Sequence, residues 1–192
     1  MKIPLRTDEA RTYLESKYKE KFTLVSASAP SLDQPHAELY FYSASHPNDP
    51  VKVYDDYRSF SDNYYAILIR EKMQARIEDA ARTTGENTLI GFRFRGSAMN
   101  AALSDPENFE ADLAAHREYF AVNLFVFVDA EIQMDEAAFQ SFLEQLLERG
   151  ITGSVMLYEA DADDRQQMMR SGFEAFMQGN NALEARFSAY IR

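Results

Sequence analysis

The sequence predicts an α+β fold. A small N-terminal lobe of one helix and an antiparallel three-strand meander is linked by a long helix to a C-terminal mixed sheet covered by helices. Three observations carry this expectation. The first is Tyr119 to Val128, where nine of ten residues are apolar or aromatic before the run stops at Asp129. It is short and rich in β-branched and aromatic side chains, so it reads as a strand. Alternation puts Phe120, Val122, Leu124, Val126 and Val128 on one face and Tyr119, Ala121, Asn123, Phe125 and Phe127 on the other. Both faces are largely apolar, so each needs a covering layer, as in a central strand of a layered sheet. The second observation is the strand–helix alternation after residue 88. The third is a helix followed by strand-like pieces before residue 60. The division expected is residues 1–60 as an N-terminal lobe, 61–87 as a linking helix and 88–192 as a C-terminal lobe, with one continuous domain as the alternative.

In chain order, Thr7 to Glu20 reads as a helix, with Thr7 as cap, Asp8 and Glu9 at the positive end of the dipole, and Ala10, Tyr13, Leu14 and Tyr18 near one stripe. Strands follow from Phe22, over Ala37 to Ser43, and over Val51 to Asp55, with His46-Pro-Asn-Asp-Pro50 as a turn. Ser61 is expected to cap the linking helix, whose stripe is Tyr65, Leu68, Ile69, Met73, Ile77 and Ala80. Leu89 to Arg95 alternates as a strand, and Ser104 is expected to cap a short helix with Pro106 in its first turn. Asp135 opens a helix closed by Gly150, and Ser154 to Glu159 is a strand. A helix over 163–178, weakened by Gly172, and a strand over Leu183 to Ile191 complete the chain. A flavodoxin-like parallel sheet competes, but no Gly-rich turn stands at a strand-to-helix junction.

Composition excludes several function classes. The net charge of −11 and pI near 4.7 oppose binding to nucleic acid or an anionic membrane. With no cysteine, thiol catalysis, disulfides, zinc–thiolate sites and iron–sulfur clusters are ruled out. No segment approaches the ~20 apolar residues of a membrane span, and the first ten residues lack an apolar signal region. As given, the chain is expected to be soluble and cytoplasmic.

Tyr13-Leu-Glu-Ser-Lys-Tyr-Lys-Glu-Lys-Phe22, Val51-Lys-Val-Tyr-Asp55, Asp62-Asn-Tyr-Tyr65 and Leu146-Leu-Glu-Arg-Gly-Ile-Thr-Gly-Ser-Val-Met-Leu-Tyr158 together resemble a group of uncharacterised α+β proteins of Gram-positive bacteria, many of them predicted lipoproteins. The resemblance covers most of the chain and transfers no catalytic residue. It implies a cell-surface lipoprotein as the alternative location, although a lipobox cysteine is absent from this sequence.

No nucleophile elbow, phosphate loop or dinucleotide fingerprint is present, and no cofactor is expected. His36, His46 and His116 have no ligand at metal spacing. Two acidic clusters, Asp55–Asp56 with Asp62 and Asp161 with Asp163 and Asp164, follow strands, where oxygen-rich cation sites form. Neither fits a Ca²⁺ loop, and Asp163 or Asp164 reads better as a helix cap. Arg93 and Arg95 share a strand face, placed to grip a carboxylate or phosphate or to face solvent. Tyr54, Tyr57, Tyr64 and Tyr65 crowd around Asp55, Asp56 and Arg58; tyrosine with charge marks protein contact surfaces, and the competing reading is a seal between lobes. The function expected is a non-enzymatic binding protein for a basic protein partner, as in an immunity protein. The alternative is a hydrolase using a cation at Asp55, Asp56 and Asp62.

Overall fold

Leu39, Phe41, Val51 and Val53 occupy every second position of two strand-like stretches, so pairing those stretches antiparallel gathers all four on one face. In the computed structural model, which describes residues 4–31, 34–82, 88–95, 102–129, 134–179 and 184–192, that face is the core of an α+β unit. The chain divides into two compact units, Met1–Arg70 with Ser97–Asp112, and Glu71–Gly96 with Leu113–Arg192. Each has its own four-stranded sheet.

The first unit begins with α1 (Thr7–Tyr18) and continues through β1 (Phe22–Ser28), β2 (Ala37–Ser43), β3 (Val51–Asp55) and β4 (Phe60–Asp62). The strands lie in chain order and every neighbour is antiparallel. Ala10 and Leu14 of α1 pack with Leu39, Phe41, Val51 and Val53, all buried. Burial of this apolar face is the main driving force holding helix to sheet. The helix stops where Lys19 turns left-handed at φ 59° and returns its N–H to Glu15.

β4 corrects the expected three-strand meander. Ser61 does not cap a helix: it pairs with Tyr54, while Phe60 pairs with Asp55 and Asp62 with Val53. The helical stretch then runs as two pieces, α2 (Tyr64–Leu68) and α3 (Arg70–Ala81). Tyr65, Ile69, Met73, Ile77 and Ala80 are all buried, so the apolar stripe continues across the break. A stripe that ignores the break is why periodicity alone merges the two pieces. The expected helix end at 83–87 lies outside the described residues.

The second unit holds β5 (Leu89–Phe94), β6 (Val122–Asp129), β7 (Gly153–Ala160) and β8 (Phe187–Ile191). β6 and β7 are parallel, and the two outer pairings are antiparallel. The apolar run near 120 thus becomes the interior strand β6, starting at Val122 because Arg117–Tyr119 forms a 3₁₀ turn. Val122, Leu124, Val126 and Val128 are buried on one face and Phe125 and Phe127 on the other. The phenylalanines pack with Tyr158, Met168 and Phe176. Asn123, the polar interruption in the run, accepts from Ser154 Oγ at 2.6 Å.

The helices are α4 (Phe109–Ala115), α5 (Glu136–Glu148), α6 (Ala162–Ser171) and α7 (Phe173–Gly179). Asp135 caps α5 by accepting from Ala138 N–H at 2.8 Å, as its position suggests. Two cap expectations shift by one to three residues. Asp105 rather than Ser104 caps the 3₁₀ turn Pro106–Asn108, taking the Glu107 N–H at 3.0 Å. Asp161, not Asp163 or Asp164, caps α6 through the Asp164 N–H at 2.8 Å. Gly172, at φ 78°, splits the helix expected over 163–178 into α6 and α7. No helix among the described residues is long and apolar enough to cross a membrane.

Gly153 opens β7 at φ +123°, and a Cβ there would fall onto the backbone of Val122 in the partner strand. Gly153→Ala is expected to cost about 3 kcal/mol of stability in chemical denaturation; an unchanged midpoint would contradict the β6–β7 register.

Candidate functional site

Asp62 is fully buried at the end of β4, and a buried carboxylate demands partners. It has four. Tyr13 Oη donates at 2.6 Å, Tyr18 Oη at 2.7 Å, Lys17 Nζ at 2.8 Å and the Tyr64 backbone N–H at 2.9 Å. Tyr13 and Lys17 stand four apart on α1, so they share a face, and Lys17 Nζ also lies 4.9 Å from the Tyr18 ring centre. Burial, and then the Asp62 charge, pushes the Tyr13 and Tyr18 hydroxyls well above the usual phenol range. Both remain neutral donors. The Tyr64 bond ties the same carboxylate to the first turn of α2.

Asp55 closes β3 and is 1% exposed. Its Oδ1 accepts from Arg6 at 3.0 Å and from the Tyr57 N–H at 2.8 Å, while Oδ2 is buried without a hydrogen-bond partner. The Arg6 guanidinium is itself held over Phe60, 4.5 Å from the ring centre, and also forks onto Glu9. Asp56 builds the β3–β4 turn. Its Oδ1 takes the Ser59 N–H at 2.6 Å and the Arg58 N–H at 2.9 Å, which hold the carboxyl below its usual range. Tyr57 adopts φ 70° at this turn and is 36% exposed, with Arg58 exposed beside it. Each of the three aspartates therefore has its own structural partners. Among the described residues, no group of three or more His, Asp or Glu is placed to hold a metal ion.

The side of the sheet opposite α1 carries a different chemistry. Lys52 Nζ lies 4.7 Å from the Tyr54 ring centre and 5.6 Å from that of Tyr40. It pairs with Glu38 at 2.5 Å, and Tyr40 Oη donates to the same carboxylate at 2.8 Å. His36 meets the Tyr54 ring edge-on at 4.9 Å. Burial pulls the Lys52 ammonium down, but Glu38 and the two tyrosines outweigh it and hold it above its usual value. Tyr42, 37% exposed, extends the same face along β2. Residue-type reasoning found Tyr54 and missed Tyr40, Tyr42 and Lys52. The signal was present: Glu38, Tyr40 and Tyr42 alternate against Leu39 and Phe41.

The remaining candidates sit elsewhere. Tyr64 and Tyr65 are interior, 1% and 0% exposed; Tyr64 Oη meets Ser43 and His46, and Tyr65 Oη donates to Asp112 at 2.5 Å. Their rings are packed, so they offer no contact surface. Arg93 and Arg95 belong to the second unit. Arg93 forks onto Glu174 at 2.5–3.1 Å, and Arg95 lies 4.8 Å from the Tyr190 ring centre. Asp161 is spent on its cap, and crowding by burial and the neighbouring Asp161 and Asp163 raises the Asp164 carboxyl.

No family model matches the chain, and no curated protein matches it. Among solved structures it is similar to a DUF5037 family protein from Ruminococcus gnavus, with a TM-score of 0.49 and 19% identity over 94% of this chain and 89% of that one.

Burial also raises the Tyr64 and Tyr65 hydroxyls, and those of Tyr40 and Tyr158, so six of the eleven tyrosines resist ionisation in the folded state. Each contributes stability that is complete below the phenol range near 10 and is lost as pH rises above it, because the unfolded chain ionises there and the folded chain does not. An alkaline titration by near-ultraviolet difference absorbance is expected to show exposed tyrosines ionising first and the buried set only together with loss of far-ultraviolet circular dichroism. Ionisation of every tyrosine in a folded chain would refute the Asp62 geometry.

Proposed function

We propose that this chain is a non-enzymatic binding protein that docks a basic protein partner on the outer face of the N-terminal sheet. The observation that carries this reading is the fixed arrangement of Tyr40, Lys52 and Tyr54 on a solvent-facing sheet side, with Tyr57 and Arg58 at the turn that follows β3. Tyrosines held by a charged neighbour lose little side-chain entropy on binding, and they supply wide contact area with a polar tip. The net charge of −11 steers a cationic partner toward the molecule and repels nucleic acid. Neutralisation of a basic toxin, in the manner of an immunity protein, is one form of this activity. The reading holds for a cytoplasmic protein and for one anchored at a cell surface.

The alternative is a hydrolase using a cation at Asp55, Asp56 and Asp62. Arg6 and Lys17 already neutralise Asp55 and Asp62, and a metal ion would have to displace both. This competition favours the binding reading.

Retention of a partner from the source lysate on the immobilised chain is expected at low salt and lost at high salt. Tyr40→Ala with Tyr54→Ala is expected to reduce retention at least about tenfold while the fold is kept, because a pair of central aromatic anchors is worth well over 1.4 kcal/mol. Equal retention by the variant would count against this face. A rise in thermal midpoint with Mg²⁺, Ca²⁺ or Mn²⁺, abolished by Asp56→Asn, would favour the hydrolase.

A further inference from the structure

Four stretches of the N-terminal unit wall a cleft of about 510 Å³: the end of α1 with Lys19 and Glu20, the β2–β3 loop at Ser45 and His46, α2 at Tyr64 and Leu68, and residues 104–106. That volume lies within the range of small-molecule clefts. None of the Asp55, Lys52 or Tyr54 chemistry reaches it; it is a separate place on the molecule.

Its floor is a short chain of hydrogen bonds. The His46 backbone N–H donates to Ser43 Oγ at 2.8 Å, Tyr64 Oη donates to Ser43 Oγ at 2.9 Å, and His46 Nδ1 lies 3.0 Å from Tyr64 Oη. Ser43 is 3% exposed and Tyr64 1%. The Tyr64 hydroxyl therefore holds the partly exposed imidazole, while Ser43 holds the His46 backbone. A phenol has a single proton to give. Ser43 Oγ, the Glu20 carboxylate and His46 Nδ1 all compete for it, so the direction of the His46–Tyr64 bond follows the imidazole tautomer. In the neutral ring Nε2 takes the complementary role, acceptor or donor.

The rim adds matching groups. Ser45 Oγ donates to Glu20 at 2.5 Å and steadies that carboxylate beside His46. Lys17 and Lys19 are balanced by Glu20 and Asp105, so the lining carries no net formal charge. Lys17 is already committed to Asp62, and Asp105 to its helical cap. Glu20 remains as an acceptor, Lys19 as a donor and His46 as either according to its tautomer, with Leu68 and Pro106 as an apolar wall. A net-neutral lining gives no advantage to a strongly charged ligand. A hydroxyl group, which donates and accepts at once, satisfies both kinds of site.

We infer that this cleft binds a neutral, hydroxyl-rich small molecule, a mono- or disaccharide in chemical class. The Glu20 carboxylate accepts a hydroxyl proton, His46 Nε2 bonds a second hydroxyl, which donates and accepts alike, and Lys19 donates to its oxygens. This inference stands independently of protein docking on the sheet face, since the two use different residues.

The test titrates the full chain with glucose, galactose, N-acetylglucosamine and maltose, following the His46 ring resonances by NMR and the thermal midpoint. At least one sugar is expected to shift the His46 signals saturably and, at about 50 mM, to raise the midpoint by about 2 °C. Glu20→Gln and His46→Gln are each expected to weaken that binding about tenfold, the loss of roughly one good hydrogen bond. Glu20→Gln alters a partly exposed rim group, so it keeps the test decisive if the His46 variant folds poorly. The inference is overturned if no sugar gives a saturable shift, if binding survives Glu20→Gln unchanged, or if acetate or methylguanidinium binds tighter than every sugar.

Discussion

The N-terminal unit depends on the Asp62 carboxylate. Three residues of β4 and five of α2 are too few to be stable by themselves, since short helices and isolated hairpins are marginal in water. Both are pinned at the same atom pair. Asp62 receives Tyr13, Lys17 and Tyr18 from α1 and the first backbone N–H of α2. Helix, strand and following helix are thereby fixed in one geometry. Removing any donor leaves a buried charge short of a partner, and that penalty exceeds the net worth of the bond itself. The apolar contacts of Leu14 with Leu39 and Val53 favour a helix on this face; the carboxylate selects its register.

The second unit is held by a different balance. β6 is covered on both faces, with valines and Leu124 on one and Phe125 and Phe127 on the other. Its order comes from apolar burial along a parallel pairing with β7, and its charged groups form pairs such as Arg93–Glu174, more than two-fifths exposed on either side. Exposed pairs of that kind contribute little. A polar hub in one unit and an apolar strand in the other explain why candidate chemistry concentrates before residue 70.

Much of this architecture was legible in the sequence, and the reasons are particular. Of the run Tyr119 to Val128, the part from Val122 was readable as a central strand because of its composition and double apolar faces, whereas the first three residues precede the strand. Asp135 was readable as a cap because the apolar stripe of α5 starts directly behind it. β4 was not, because three residues carry no measurable alternation and Ser61 looks like a helix cap in isolation. The split of α2 from α3 was hidden by an unbroken apolar stripe. At the candidate site, residue types drew attention to Asp55, Asp56, Asp62 and the nearby tyrosines, but type alone does not reveal which carboxylates are already paired. Arg6 and Lys17 stand 49 and 45 residues from their partners, a separation that one sequence cannot bridge. The same limit hid the meeting of Glu20, His46 and Tyr64.

Asp62 as an architectural carboxylate, rather than a reactive one, is the claim on which the functional reading turns. A double-mutant cycle tests it most directly: Lys17→Met, Asp62→Asn and the pair, each followed by chemical denaturation. The account predicts that Lys17→Met or Asp62→Asn alone costs about 3 kcal/mol and that the double variant costs clearly less than the sum, with a coupling of about 2 kcal/mol. Two small effects that simply add would contradict it, and would return Asp62 to the set of residues available for chemistry.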